Sequence, residues 1–170
     1  MPTESVHLPQ WEELPDIDLY MDQVLNLVDR YLSPIGVKTV TAAMINNYVK
    51  LNLIPKPIGK RYSRMHVAYI FAIAILKDVF EIAQIQAGVL TEIRLLGLKN
   101  AYNLFTREIE SAVSLVSRQC ESSQPIPLME GSIEDDNIIM KLAALTFASK
   151  RLTTVYINKK VNEENKENDE

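Results

Sequence analysis

Side chains suited to nucleic-acid recognition are concentrated between residues 38 and 64 of the sequence. Asn46, Asn47 and Lys50 form a first set. An asparagine can pair bidentately with adenine in the major groove, and a lysine can pair with guanine, so base contacts are expected from this set. A second set is expected to contact phosphates and so to fix the register on DNA without reading bases. This set consists of Lys38, Lys56, Lys60, Arg61, Tyr62 and Arg64.

Both sets also have plainer interpretations, which the sequence leaves open. Asn46 and Asn47 can be ordinary exposed residues of a helix. Tyr48 and Tyr62 can pack against the protein instead of contacting a base, because a tyrosine ring is large and mostly apolar. A cluster of lysines and arginines can be no more than a solvated basic face.

The charges of this 170-residue chain are strongly segregated, although its net charge is only −4. Eight of its 18 basic residues and none of its acidic residues lie within residues 30–77. The remaining ten basic residues share the rest of the chain with all 22 acidic ones. Such segregation predicts a surface that faces a polyanion on an otherwise acidic protein.

Two helices are predicted around the first set. Apolar residues at helical spacing predict a first helix that begins near Asp16 or Asp18 and ends before Gly36. Thr41 suits the N-cap of a short second helix over residues 42–50. That second helix would place both asparagines and Lys50 on its polar side.

A small basic hairpin and a third helix are predicted next. Pro55 cannot continue the second helix, and Gly59 permits a tight turn within residues 56–62. Ser63 suits the N-cap of the following helix. Residues 67–76 of that helix are apolar on every side, which predicts a central buried position.

The C-terminal half is predicted to be helical over about residues 81–90, 91–120 and 134–156, with a loop over 121–133 and a possible break near Gly97. In the longest of these helices, residues at spacings of three and four form a packing seam: Tyr102, Phe105, Ile109, Ala112 and Val116. In the last helix, the predicted apolar stripe is Ile138, Leu142, Leu145, Leu152 and Tyr156.

The sequence does not contain the residue patterns of an enzyme. With two histidines, the single Cys120 and no Gly-rich phosphate loop, no catalytic residue, metal ligand or cofactor is expected. The first residues lack the pattern of a secretory signal, and the longest apolar run is about half of what a bilayer requires. A cytoplasmic protein without a membrane contact is therefore expected.

The stretch that begins at Thr41 resembles the winged helix-turn-helix of the MerR regulators, over roughly residues 38–86. The resemblance is carried by Leu53-Ile54-Pro55-Lys56-Pro57 and by Arg61-Tyr62-Ser63. It implies that residues 42–50 are a recognition helix and that residues 56–62 are a wing. The compact first helix of that family is replaced by a longer one, and its metal-binding cysteines have no counterpart, so metal sensing is not implied.

A second resemblance covers most of residues 8–150. Residues 14–24 and 44–50 are similar to the domain of unknown function 1836 family of bacterial proteins. This resemblance implies a DNA-binding protein of Gram-positive bacteria without an established ligand or target.

The sequence thus predicts a mainly α-helical protein in which a MerR-like winged helix-turn-helix region is followed by a helical C-terminal region. Its predicted parts are an extended arm, a DNA-binding head, a helical dimerisation region and a disordered tail, over residues 1–15, 16–80, 81–157 and 158–170.

The expected function is that of a transcriptional regulator that binds double-stranded DNA sequence-specifically, as a homodimer whose C-terminal helices pair. The alternative is a protein-interaction module that binds another regulator through those helices and does not bind DNA. The sequence identifies no small-molecule effector.

Overall fold

The computed structural model describes residues 6–121, 132, 134 and 137–168, and this part of the chain is mainly helical, as predicted. A short 3-10 helix over Trp11–Glu13 precedes six α-helices: α1 Met21–Leu32, α2 Ala42–Lys50, α3 Arg64–Leu76, α4 Ile82–Leu96, α5 Leu98–Glu121 and α6 Ile138–Asn168. Within the described residues there are no strands, only two isolated antiparallel bridges, Leu19 with Tyr62 and Ile58 with Arg61. No helix of these residues is long and apolar enough to cross a membrane.

Helix α3 is the centre of the core, as its apolar sequence predicts. Its buried residues cover all of its sides, and α1, α5 and α6 pack against it. Phe71 is fully buried, with its ring centroid 6.1 Å from that of Tyr31 and 6.5 Å from that of Tyr102. These contacts tie the N-terminal helices to the C-terminal ones in a single core.

The first helix begins later than the predicted Asp16 or Asp18. The preceding residues are extended, because the Leu19 N–H donates to the Tyr62 carbonyl at 2.9 Å and the Tyr62 N–H donates to the Leu19 carbonyl at 2.8 Å. As a result α1 starts only at Met21. The sequence near Asp16 gives no sign of this pairing, since its partner lies more than forty residues away along the chain.

Helices α1 and α2 are both followed by a residue in the left-handed conformation, Gly36 at φ 75° and Asn52 at φ 56°. After α2 the Leu53 N–H donates to the Tyr48 carbonyl at 2.9 Å, which closes a Schellman motif. At the start of α2 the Thr41 hydroxyl oxygen accepts a backbone N–H at 3.3 Å. The predicted bounds and N-cap of this helix are therefore confirmed.

The N-terminal arm packs against α5. Leu8 and Leu14 are buried, and the Leu8 N–H donates to the carboxylate of Glu110. The Trp11 N–H donates to the Asn103 side-chain oxygen at 2.7 Å. The arm, of which residues 6–15 are described, is thus part of the core.

The C-terminal helices differ from the prediction in three respects. Helix α4 continues through residue 90 and ends before Gly97, whose φ of 75° makes the break. Helix α6 buries a stripe of Met140, Ala144, Phe147 and Ala148, whereas Ile138, Leu142 and Tyr156 of the predicted stripe are exposed. Small alanines let α6 pack closely against α5, and this selects the buried face.

The tail is the third difference. Helix α6 continues to Asn168, through residues 158–168 of the tail for which composition predicts disorder. Lysine and glutamate have high helix propensity, so a charged segment can continue a helix that tertiary contacts have already begun. The predicted loop over 121–133 lies almost entirely outside the described residues.

Helix α6 also contacts the connection between α1 and α2. Arg151 Nη2 donates to the Pro34 carbonyl at 3.2 Å. A Cβ placed on Gly36 would lie 3.5 Å from the Arg151 guanidinium carbon. The arginine therefore lies directly against the turn that ends α1.

Candidate nucleic-acid interface

Helix α2 has one buried face and one polar face. Ile45 and Tyr48 are buried, while Asn46, Asn47 and Lys50 are exposed. The three side chains predicted to contact bases are therefore all accessible on one helix. Tyr48 takes the packing role that the sequence left open.

Residues 56–62 form a minimal hairpin, which is called the basic hairpin below. The Arg61 N–H donates to the Ile58 carbonyl at 3.0 Å. Gly59 and Lys60 between them have φ values of 57° and 60°, the pattern of a type I′ turn. Lys56, Lys60 and Arg61 are exposed, so three predicted phosphate ligands lie on this turn and its flanks.

The basic hairpin is anchored on the N-terminal side of α1. Tyr62 makes the backbone pairing with Leu19, and the Arg61 guanidinium lies 5.8 Å from the centre of the Tyr20 ring. The acidic side chains of Asp16 and Asp18 are exposed beside this pairing. The basic hairpin is thus held by fixed contacts but has carboxylates at its base.

Two residues predicted to contact phosphates are not exposed on the basic hairpin or on α2. Tyr62 is only 4% exposed because its ring packs edge-on against His66, with 5.8 Å between the ring centroids. Arg64 is partly buried, pairs with Glu12 at 3.4 Å, and lies 5.8 Å from the Trp11 ring. Tyr62 therefore anchors the hairpin, and Arg64 joins α3 to the N-terminal arm.

A further cation lies beside the start of α2. Lys38 is exposed, and Lys77 at the end of α3 reaches Met44 of α2, with 3.8 Å between Nζ and the sulfur. Burial lowers the pKa of Lys77, the nearby Asp78 opposes this shift, and the charge of Lys38 adds to it. Lys77 therefore contacts α2, and Lys38 lies four residues before α2 in the chain.

His66 holds the junction between the basic hairpin and α3. Its Nδ1 accepts the Ser63 N–H at 3.0 Å and lies 2.8 Å from the Ser63 hydroxyl oxygen. Among the residues that the structure describes, no group of histidines, cysteines and carboxylates could hold a metal ion. The contacts with Ser63 give His66 a structural role at the start of α3.

Acidification below about pH 6.5 is expected to destabilise the protein through His66. Burial lowers the pKa of His66 from 6.5 in the folded protein, so the unfolded chain binds the proton more readily. The free energy of unfolding should fall as the pH drops below 6.5, by no more than about 1.4 kcal/mol per pH unit for one proton. Urea denaturation at several pH values measures this change in the free energy of unfolding.

Two variants separate the histidines in that experiment. His66→Asn should reduce the dependence between pH 7.5 and 5.5, because it removes the buried imidazole. His7→Gln is the matched control, since it removes the exposed imidazole, whose ring contacts Glu13 and Glu110, and leaves His66 in place. If the opposite pattern is found, the effect belongs to His7.

Three other features were not predicted. Ile58 is 86% exposed beside the hairpin turn, and the sequence gives no sign of it. Glu92 is buried, which the spacing of Ile85, Val89 and Glu92 on one helix face would have indicated. The contact of Arg151 with the α1–α2 connection depends on a packing that the sequence does not encode locally.

These observations define a mainly helical protein that exposes a short polar helix and a basic hairpin. The chain matches the family described as "Domain of unknown function (DUF1836)" over residues 9–121. It therefore belongs to this family, in agreement with the resemblance of its sequence. No curated protein and no solved structure gives a significant match.

Proposed function

We propose that this protein is a transcriptional regulator that binds double-stranded DNA sequence-specifically through a winged helix-turn-helix. In this proposal α2 is the recognition helix and the basic hairpin is the wing. The observation that carries it is the combination of Asn46, Asn47 and Lys50 exposed on α2 with three exposed cations on the hairpin that follows it in the chain.

The polar face of α2 suits the major groove. A groove-binding helix must present side chains with amide or cationic ends while its opposite face is held by the protein. Ile45 and Tyr48 supply that attachment, and the Schellman motif after α2 fixes the direction in which the chain leaves the helix. The asparagines are thus presented from a rigid support.

Lys60 supports the assignment of the wing. A lysine at φ 60° is strained by roughly 1–2 kcal/mol, a strain that glycine would relieve. Strained positions occur where function requires a particular side chain. At the hairpin turn, Lys60 presents an ammonium group beside Lys56 and Arg61, and this arrangement suits the phosphate backbone of a duplex.

The proposed wing is smaller than that of a typical winged helix. Its two sides are joined by the single Ile58–Arg61 bridge, and no strand extends from it in the described residues. The wing is therefore proposed as a phosphate clamp and not as a sheet. Ile58 at its side adds an exposed apolar group of the kind that inserts at base steps in the minor groove.

The proposal includes a homodimer formed through the C-terminal helices. The end of α6 exposes Tyr156, Ile157 and Val161 on a segment whose described side chains are all exposed from residue 156 onwards. An isolated helical segment of this length is marginal in water, so a second copy of α6 would stabilise it. Light scattering at micromolar concentration should give twice the monomer mass, and a monomeric mass would contradict this pairing.

A second candidate function follows from the same exposed residues of α6. In this alternative, the C-terminal helices bind another regulator and the head does not contact DNA. Substitutions on α2 and on the basic hairpin would then leave the binding of that regulator unchanged. Binding to DNA therefore separates the two candidates directly.

Salt-dependent binding to duplex DNA is the test. The purified chain should enrich a defined sequence from random duplexes. Its affinity for that sequence should fall with a slope against log salt of about −3.6 for each bound head if Lys38, Lys56, Lys60 and Arg61 each contact one phosphate. A dimer with both heads bound should therefore give a slope of about −7.2. Fluorescence anisotropy across a salt series measures the slope. No enriched sequence and no binding at low salt would favour the interaction module.

A further inference from the structure

Helices α3, α4, α5 and α6 surround an apolar cavity of about 340 Å³. None of its lining residues comes from α2 or from the basic hairpin. Its walls include Ala72, Phe80, Val89, Phe105 and Met140. The volume and the apolar lining are those of a site for a small organic molecule, which usually occupies roughly 300–1,000 Å³.

One carboxyl group belongs to this apolar wall. Glu92 lines the cavity and is only 5% exposed. Its Oε2 is buried and has no hydrogen-bond partner in the described part of the protein. A buried carboxylate without a cation or a donor is unfavourable, and burial raises the pKa of Glu92 accordingly.

A glycine one turn earlier in α4 enlarges the same cavity. Gly88 lines the cavity four residues before Glu92, so both lie on one helix face. A Cβ placed on Gly88 would have no heavy atom within 4 Å, so neither close packing nor an unusual φ requires glycine there. Glycine within a helix is destabilising. Gly88 and Glu92, which each destabilise the fold, thus line the same cavity.

We propose that this cavity binds an apolar small molecule carrying one protonated amine, with the ammonium group paired with Glu92. The apolar walls accept the hydrocarbon part of the ligand, and the amine supplies the donor and the charge that the buried carboxylate lacks. Gln84, Ile139, Leu142 and Thr146, whose side chains are exposed, line its entrance. This site does not depend on the proposed binding of DNA.

Three probes with one carbon skeleton test the proposal: 4-phenylbutylamine, 4-phenylbutanol and 4-phenylbutyrate. Calorimetric titration of the full chain should show the amine binding about tenfold more tightly than the alcohol and the carboxylate binding least. In Glu92→Gln the affinity for the amine should fall to that for the alcohol, while the affinity for the alcohol stays unchanged. Equal affinity of the amine and the carboxylate, or an amine preference that survives in Glu92→Gln, would overturn the proposal.

A second pair of variants tests the position of the site. Gly88→Leu should fill the cavity and abolish binding of the amine, with a melting temperature no lower than that of the wild type. Ala87→Leu is the matched control, since Ala87 is exposed on the same helix and does not line the cavity. Its binding should equal that of the wild type. The proposal fails if Gly88→Leu still binds the amine, or if the folded wild type shows no saturable binding of it.

Discussion

Replacing Lys60 and Arg61 together by alanine is expected to weaken binding to every DNA duplex by roughly ten- to a hundredfold. Both side chains are exposed on the basic hairpin, where each hydrogen bond contributes about 0.5–1.5 kcal/mol net, so two contribute about 1–3 kcal/mol together. The slope of log affinity against log salt should become shallower by about 1.8 for each bound head, because each head loses two phosphate contacts. Anisotropy titrations with a selected duplex and a random duplex measure both quantities.

The matched control for this double variant is Arg94→Ala with Arg107→Ala. These two cations are exposed on α4 and α5, outside the proposed DNA interface and outside the α6 segment proposed to form the dimer, and their removal changes the net charge by the same amount. Affinity and salt slope should then stay close to those of the wild type at physiological salt. If instead this control loses affinity and the hairpin variant does not, the DNA-binding surface lies on α4 and α5.

Substitutions on α2 should have a different signature from those on the hairpin. Asn46→Ala or Asn47→Ala should reduce the preference for the selected duplex over a random one by about 1–3 kcal/mol, the discrimination of one bidentate base contact. Binding to the random duplex and its salt slope should change little. An equal loss on both duplexes would assign the asparagines to phosphate contact.

Leu14→Ala is expected to lower the free energy of unfolding by about 2–5 kcal/mol. The side chain is 2% exposed and belongs to the main hydrophobic core although it lies in the N-terminal arm. Its loss would leave a cavity where the arm packs, next to the Trp11 and Gln10 hydrogen bonds to α5. Equilibrium unfolding in urea measures the change.

Ile17→Ala is the matched control in the same segment. Ile17 is 65% exposed, so its truncation should change the free energy of unfolding by no more than about 0.5 kcal/mol. The contrast tests whether the arm is an integral part of the core. Equal small effects at both positions would mean that the arm can detach without loss of the fold.

Local signals in the sequence predict much of the fold and part of the candidate site. The N-cap at Thr41 and the turn at Gly59 depend on neighbouring residues only, so α2 and the basic hairpin lie where the sequence places them. The uninterrupted apolar run of α3 likewise requires a buried position. In these cases the residue type and its neighbours in the sequence are sufficient to predict the element.

The features that could not be predicted depend on partners distant in the chain. The start of α1 is set by the pairing of Leu19 with Tyr62, and Arg64 is taken out of the basic surface by Glu12. The buried face of α6 depends on which residues α5 presents to it. The cavity around Glu92 exists only after four helices have packed, so no short window of sequence contains it.

Through Arg151, helix α6 contacts the α1–α2 connection as well as lining the C-terminal cavity. Met140 lines the cavity near one end of the helix, and Arg151 holds the Pro34 carbonyl about 16 Å further along its axis. The same helix therefore carries both the cavity residue and the arginine that contacts the loop leading into α2. Helix α6 thus forms part of the cavity wall and also supports the connection that leads into α2.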